Sequence, residues 1–187
     1  MIQNVMQTLQ SLPFTADVQL VGSHAENLAD RYSDYDVNIA VENVSAAEAL
    51  KKIVDVLQSR FDPLWVDYAP SLMPQKFVAS LFLPCDSPFA YVDIAIEGQD
   101  SDRMADLSCF VNDPWIHLTK LCVMNLKYCL RQKLDFEKSF ARMMNKAGIA
   151  EWINPTDGCQ QLITILRAQS SVPSVYLDMI EKHLPAV

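Results

Sequence analysis

Two aspartates separated by one residue have the clearest chemical meaning of any feature in this sequence. Asp34 and Asp36 begin a stretch in which polar and apolar residues alternate, a pattern that predicts a β-strand. Residues two apart on a strand point to the same side, with their Cα atoms about 6.5–7 Å apart. Mg²⁺ prefers hard oxygen ligands and commonly binds through one or two carboxylates together with substrate phosphates. The pair is therefore a candidate site for divalent cations.

A Gly-Ser pair and a third aspartate extend this candidate site. Gly22 and Ser23 follow a short apolar stretch, and ten residues separate Ser23 from Asp34. Glycine lets the backbone approach a phosphate closely, and a serine hydroxyl with nearby backbone N–H groups can donate to phosphate oxygens. Asp93 stands between apolar residues in a later predicted strand. Together they predict a cradle for two Mg²⁺ ions and a nucleoside triphosphate, because two ions can clamp both oxygens of a displacement at phosphorus.

This combination resembles the signature of the DNA polymerase β-like nucleotidyltransferase superfamily: an apolar residue, Gly with Gly or Ser, a loop, then acid-x-acid on a strand. Ser33-Asp34-Tyr35-Asp36 is similar to the Ser-Asp-x-Asp of small bacterial members, and Val92-Asp93-Ile94 is similar to the family's lone third acid. The resemblance spans residues 15–98. Two departures concern the loop and the pocket shape: Ala25 and Asn27 stand where glycines are common, and Tyr35 stands between the acids where an aliphatic residue is usual.

The resemblance implies a role for each residue of the motif. Asp34 and Asp36 would hold the metal ions, and Asp93 would complete the metal site or act as general base toward the acceptor hydroxyl. Gly22 and Ser23 would hold the β- and γ-phosphates. The implied reaction is Mg²⁺-dependent transfer of a nucleoside monophosphate to a hydroxyl with release of pyrophosphate, with ATP or another nucleoside triphosphate as the donor.

A basic residue on a later helix is a further candidate for binding the nucleotide. Small nucleotidyltransferases often bring such a residue to the triphosphate, where it stabilises charge on the departing pyrophosphate. Lys120, Lys127 and Arg131 share one face of a predicted helix. Lys120 is the first choice among them, and an ordinary solvated helix face is the alternative.

Several other residues have both a functional and a structural interpretation. Glu97 shares the strand face of Asp93 and is either a second candidate base or a solvated strand end. His24 is next to Ser23 and could touch phosphate, although a structural role is favoured. The acidic run from Glu97 to Asp106 could attract a cationic acceptor or form a plain acidic loop. Four aromatic residues could stack on a ring, with packing the favoured role: Tyr35, Trp65, Tyr91 and Trp115.

The elements that must position these residues follow from hydrophobic periodicity and capping signals. The first half of the chain is predicted to be mixed and the second nearly all helical, which indicates an α+β fold. We expect a small mixed sheet flanked by helices, the nucleotidyltransferase fold, in residues 1–108 and a C-terminal helical bundle in residues 109–187. The predicted strands are 18–21, 34–42, 63–68, 76–83 and 89–96; the predicted helices are 2–12, 45–59, 114–134 and 135–147, with two more beginning at Pro155 and Pro173.

Composition limits the partners that this chain can have. Half of its 187 residues are apolar, which suits a sizeable core, and neither a membrane span nor a signal peptide is predicted. Five cysteines without a Cys-x-x-Cys pair indicate free thiols in a reducing cytoplasm. The net charge of −8 and the lack of a basic cluster disfavour a long nucleic-acid substrate and suit a neutral or cationic small molecule.

The motifs leave the acceptor open. A small molecule is the first hypothesis, because the architecture resembles aminoglycoside and lincosamide adenylyltransferases, which implies a role in antibiotic resistance. A protein acceptor is the second, since minimal nucleotidyltransferases act as antitoxins by adenylylating a partner toxin, although those proteins tend to be shorter. A non-catalytic nucleotide-binding module is the third. The sequence makes no prediction about the oligomeric state.

Overall fold

A five-stranded mixed sheet positions all three aspartates in the computed structural model, which describes residues 1–133 and 136–185. The strand order is β1-β2-β5-β4-β3. β2 and β5 run parallel, and the other neighbours are antiparallel. The five predicted strands are confirmed with shifted ends: β1 Thr15–Val21, β2 Tyr35–Val41, β3 Trp65–Tyr68, β4 Lys76–Phe82 and β5 Val92–Glu97.

Residue alternation gives this sheet one apolar face that packs into the core and an opposite face, which we call the polar face although the buried Trp65 and Phe82 also lie on it. The apolar face forms a core with helices α1, Ile2–Gln10, and α3, Ala46–Phe61. The polar face carries the aspartates at the site. The residues that fill the core include Val37, Ile39, Phe77, Leu81, Ile94 and Ile96 from the sheet and Leu9, Leu50, Ile53 and Leu57 from the helices.

The N-terminus of α3 is capped twice. Ser45 is the N-cap residue, and its hydroxyl accepts from the Glu48 N–H. Asp102 is only 1% exposed and accepts from the N–H groups of Ala46 and Ala47 at 3.1 and 3.0 Å. These are helix-terminal donors that have no partner within the helix. The hypothesis that the acidic run serves a cationic acceptor is therefore wrong for Asp102, which fixes the helix instead.

The chain divides into two compact units: Met1–Cys85 with Ala90–Asn112, and Asp86–Phe89 with Asp113–Val187. The second unit is helical, as predicted. Its short segment 86–89 is held by the Tyr176 hydroxyl, which donates to the Pro88 carbonyl.

The first unit also contains the short helix α2, Gly22–Ala25, and single 3₁₀ turns at Pro70–Leu72 and Asp100–Met104. The helices of the second unit are α4 Pro114–Leu130, α5 Phe136–Lys146, α6 Pro155–Arg167 and α7 Ser174–Glu181.

Capping residues explain where these helices begin and end. The Asp113 carboxylate accepts from the Trp115 and Ile116 N–H groups ahead of Pro114, and Asn154 caps α6 in the same way. Gly148 takes φ +74°, the left-handed conformation that commonly follows the end of a helix, here α5. α4 ends earlier than expected, at Leu130; its predicted end at Leu134 and the predicted helix start at residue 135 lie outside the described residues.

The five cysteines are free thiols, as expected. Cys122 and Cys159 meet inside the second unit, where both are buried. The contact with Cys159 and the burial together raise the pKa of Cys122 well above its ordinary value, so this thiol stays protonated and unreactive.

Within residues 1–133 and 136–185, the helices lack the length and apolar character that crossing a bilayer would require.

Replacing Asp102 with alanine should lower the free energy of unfolding by about 2 kcal/mol, because two helix N–H groups lose a buried acceptor. Urea denaturation followed by circular dichroism measures this loss. Asp100→Ala is the matched control, since that side chain is 94% exposed and its ion pair with Arg103 lies at the surface. Equal losses for the two variants would contradict the capping role.

Candidate active site

The parallel pairing of β2 with β5 places two aspartates side by side. In this register Asp36 is the partner of Asp93. The pairing begins one residue earlier, where the Tyr35 N–H donates to the Tyr91 carbonyl at 3.0 Å. Both carboxylates lie on the polar face, because the residues that follow them, Val37 and Ile94, belong to the core.

Asp34 completes a cluster of three carboxylates. One oxygen from each of Asp34, Asp36 and Asp93 lies within 4.8 Å of the others, and each residue is half-buried. The donors are all hard oxygens, which is the ligand type that Mg²⁺ prefers. The set therefore fits a divalent cation, and such a cation would offset the mutual repulsion of the three charges.

Gly22 has a steric role that the sequence did not reveal. Its φ of +67° is in the left-handed region, and a Cβ there would lie 2.6 Å from the Asp36 Oδ2 atom. The contact arises because the preceding residue, Val21, is the partner of Asp36 in the β1–β2 register. Glycine at this position thus leaves room for the Asp36 carboxylate. Ser23 follows directly, in the short helix α2.

The loop between Ser23 and Asp34 reaches the required shape without a glycine. Asn27 adopts φ +56°, and asparagine tolerates this left-handed conformation better than most residues. Asp30 and Ser33 close the end of the loop: the Asp30 N–H donates to the Ser33 hydroxyl at 3.0 Å, and that hydroxyl donates to the Asp30 carboxylate. Asn27 thus takes the left-handed conformation in a loop that has no glycine.

Two polar residues beside the carboxylates were missed by sequence reasoning. The buried Ser80 on β4 is the partner of Asp93, and its hydroxyl donates to Asp93 Oδ1. Asp67 on β3 is in turn the partner of Ser80 and is 1% exposed. Two polar residues inside otherwise apolar strands were the available signal. The strand register that brings them to Asp93 cannot be read from local sequence.

Two other predicted candidates lie away from this chemistry. Glu97 is four residues from Asp93 along β5, which is about 13 Å. It is exposed and pairs with Lys76 at 3.2 Å, so it is the solvated strand end rather than a base. His24 stacks on Tyr35 with ring centroids 4.1 Å apart, which supports the structural role. Its buried Nε2 has no hydrogen-bond partner among the described residues.

Lys120 and Lys127 lie on α4 in the second unit, where they are 9% and 6% exposed. The alternative of a solvated helix face is therefore wrong for these two residues, since lysines are almost never this buried without an anionic partner. Arg131 is the residue that caps the C-terminus of the helix. The predicted role of Lys120 in binding the triphosphate stays a prediction.

The aromatic candidates fill space in the first unit. Trp65 stacks on Phe82, and Phe82 stacks on Tyr91, each pair with centroids 4.8 Å apart. Trp65 and Tyr91 are 5% and 2% exposed. Packing was the favoured role for both, and the structure confirms it. Trp115 is half-buried in the first turn of α4.

Comparison with known proteins identifies part of the chain. Residues 2–81 match the family model described as the nucleotidyltransferase domain. The matched segment includes Gly22, Ser23, Asp34 and Asp36 and ends before Asp93. Residues 2–81 therefore form a nucleotidyltransferase domain, in agreement with the predicted enzyme class. The mixed sheet with its flanking and C-terminal helices confirms the predicted α+β fold.

A solved structure also resembles the chain, titled as the polymerase core of TRAMP, an RNA surveillance complex. It is 16% identical with a TM-score of 0.40, and the match covers 98% of this chain. The chain spans 55% of the length of that protein. A comparison with curated proteins finds no match.

Gly22→Ala should displace the Asp36 carboxylate, because the added methyl would overlap Oδ2. Gly148→Ala is the matched control, since it also has a left-handed φ but no atom within 4 Å of its Cβ. We expect both variants to lose about 1–2 kcal/mol of stability and only Gly22→Ala to weaken Mn²⁺ binding. Urea denaturation and isothermal calorimetry measure the two effects. Equal Mn²⁺ affinities for the two variants would contradict the steric role of Gly22.

Proposed function

We propose that this protein is a Mg²⁺-dependent nucleotidyltransferase that moves AMP from ATP to a hydroxyl of a small molecule and releases pyrophosphate. The observation that carries the proposal is the cluster of Asp34, Asp36 and Asp93 within 4.8 Å beside the Gly22-Ser23 turn. The family match supports nucleotidyl transfer in general, and its members act on nucleoside triphosphates. The family match does not identify the nucleobase of the donor, the metal ion or the acceptor, and these three are our own proposals.

The three carboxylates have separate tasks in this proposal. Asp34 and Asp36 would hold two Mg²⁺ ions, which when bound would neutralise phosphate charge and orient the α-phosphate. Asp93 would share the second ion or take the proton of the attacking hydroxyl. As the acceptor oxygen bonds to the α-phosphorus, the bond from that phosphorus to the bridging oxygen of the β-phosphate breaks and pyrophosphate leaves. Ser23 would donate to the terminal phosphates, and Lys120 is the proposed cation for the same groups.

Ser80 would act by holding Asp93 in position. Its hydroxyl donates to Asp93 Oδ1 and is fully buried, so the carboxylate has one preferred orientation. Residues that orient metal ligands in this way typically contribute a factor of about 10–100 to metal affinity. The geometry therefore assigns Ser80 to the site, although it contacts neither metal nor nucleotide in the proposal.

The net charge of −8 supports a small acceptor over a long nucleic acid. An aminoglycoside-like antibiotic is our first specific choice, because such molecules are cationic and carry many hydroxyls. An acidic enzyme would attract them by long-range electrostatics. A cytoplasmic enzyme of this kind would meet both ATP and the antibiotic, which would give it a role in resistance.

Asp36→Asn should lower the rate of pyrophosphate release by about 100-fold or more, because a neutral amide cannot stabilise the cation that balances the phosphate charge. The assay combines protein, Mg²⁺, labelled ATP and an aminoglycoside panel, and it follows both pyrophosphate and labelled acceptor. Asp55→Asn, an exposed change on α3, is the control and should keep full activity. Activity that survives Asp36→Asn, or that persists without divalent ions, would refute the metal-dependent mechanism.

Ser80→Ala should weaken Mn²⁺ binding by about 10–100-fold while the fold is retained. Thr8→Val is the matched control: it also removes a buried hydroxyl, one that donates to the Asn4 carbonyl within α1. Calorimetric titration with Mn²⁺ compares the two variants with the wild type. If both variants bind Mn²⁺ like the wild type, Ser80 has no positioning role.

A further inference from the structure

A second feature of the polar sheet face begins next to the carboxylates. It is a groove of about 390 Å³ over β1, β2 and β5, which we call the sheet groove. Its size falls in the range of about 300–1,000 Å³ that is typical of small-molecule sites. The residues that line it are Asp17, Gln19, Asn38, Ile39, Ala40, Val41, Ala95, Ile96, Glu97, Gly98 and Gln99.

The sheet register places the near end of this groove one two-residue step along the strands from the carboxylates. Asn38 and Ala95 are strand partners, and each lies two residues beyond Asp36 and Asp93 on the same face. The step along each strand is about 6.6 Å. A ligand that fills the groove would therefore place its near end beside the carboxylate cluster, where an acceptor hydroxyl must lie.

The floor of the groove is low and its walls are polar. Ala40 and Ala95 expose only methyl groups on this face, so a flat ring can lie against the sheet. Three carboxamides surround the floor: Gln19 and Asn38, which are strand partners, and Gln99. Carboxamides both donate and accept hydrogen bonds, which suits hydroxyl and amine groups of a ligand. Gln19 Nε2 already donates to Asp17 and the Gln99 side chain accepts from the Asp102 N–H, so these two offer only their remaining donors and acceptors.

The walls are held in place by contacts already made within the first unit. The Asp17 carboxylate accepts from Gln19 Nε2 at 2.6 Å and from the Val18 N–H at 2.9 Å. The Gly98 N–H donates to the Gln75 carbonyl, and a Cβ on Gly98 would lie 1.9 Å from the Pro74 carbonyl oxygen. Such fixed groups lower the entropy cost of binding a ligand.

The charge of the groove discriminates between classes of acceptor. Its charged lining residues, Asp17 and Glu97, are both acidic, and the lining that the structure describes includes neither lysine nor arginine. Lys76 pairs with Glu97 at the strand end and does not line the groove. A phosphate would meet repulsion from Asp17 and Glu97, since the nearby Lys76 is already paired with Glu97, whereas hydroxyls and ammonium groups would find acceptors.

We propose that the sheet groove binds the acceptor, and that this acceptor is a neutral or cationic, hydroxyl-rich small molecule without phosphate groups. The acceptor role depends on the function proposed above, whereas ligand binding by the groove does not. Beyond the function proposed above, the groove gives the acceptor a location and the residues that would recognise it.

Nuclear magnetic resonance on the ¹⁵N-labelled full chain tests this directly, because the side-chain NH₂ signals of Gln19, Asn38 and Gln99 report on the groove. The probes are glucosamine, glucose 6-phosphate and a short oligoadenylate, each added without metal or nucleotide. We expect glucosamine to shift these signals saturably at millimolar concentration, and the two phosphate-bearing probes to bind at least about tenfold more weakly. No shift with glucosamine, or equal binding of either phosphate-bearing probe, would overturn the proposal.

A filling variant and a matched control locate the binding. Ala40→Trp fills the groove from an exposed strand position and should abolish the glucosamine shifts, while Ala16→Trp, an exposed change on β1 outside the groove, should not. Shifts that survive Ala40→Trp would also overturn the proposal. Binding of Mn²⁺ with a non-hydrolysable ATP analogue should be equal in both variants. If the wild type does not bind Mn²⁺ with the ATP analogue, the proposed function is refuted, whereas the conclusion that the groove binds glucosamine is unaffected.

Discussion

The parallel pairing of β2 with β5 is the constraint on which the rest of the site depends. It sets Asp36 beside Asp93, and Asp34 joins them within 4.8 Å. Each pair of carboxylates at that separation repels by under 1 kcal/mol in bulk water but by roughly 3 kcal/mol at an effective dielectric constant of 20. The surrounding structure maintains this unfavourable arrangement: Gly22 leaves space for Asp36, and Ser80 donates to Asp93. A fold that holds three like charges together is suited to a cation, which is why the cluster supports metal chemistry.

Local sequence was sufficient to predict the parts of the site that depend on strand alternation. The two-residue period of a strand predicted that Asp34 and Asp36 lie close together, and they do, although Asp34 immediately precedes β2. The contributions of Ser80, Asp67 and Asp102 were not predictable in this way. Ser80 and Asp67 reach the site through the pairing of β3, β4 and β5, and Asp102 reaches α3 across 56 residues of chain. Such long-range register is set by the packing of the whole unit.

The division of the polar sheet face into two regions separates two kinds of recognition. The carboxylate cluster serves the metals and the phosphates in our proposal, and the sheet groove serves the acceptor. Both regions are acidic, so phosphate can bind at the cluster only when cations are present, and the groove would not compete for it. This arrangement gives a physical reason why a nucleotide and a cationic acceptor would occupy different places on one sheet. The buried Lys120 and Lys127 of the second unit add positive charge to a chain that is otherwise acidic.

The central claim is that Asp34, Asp36 and Asp93 hold divalent metal beside a triphosphate. Anomalous diffraction from crystals grown with Mn²⁺ and a non-hydrolysable ATP analogue tests it most directly, because manganese positions can be located independently of the nucleotide. The account predicts two manganese peaks bonded to these three carboxylates, with the triphosphate beside Gly22 and Ser23. A nucleotide bound without manganese at the cluster, or manganese bound only elsewhere on the chain, would contradict it.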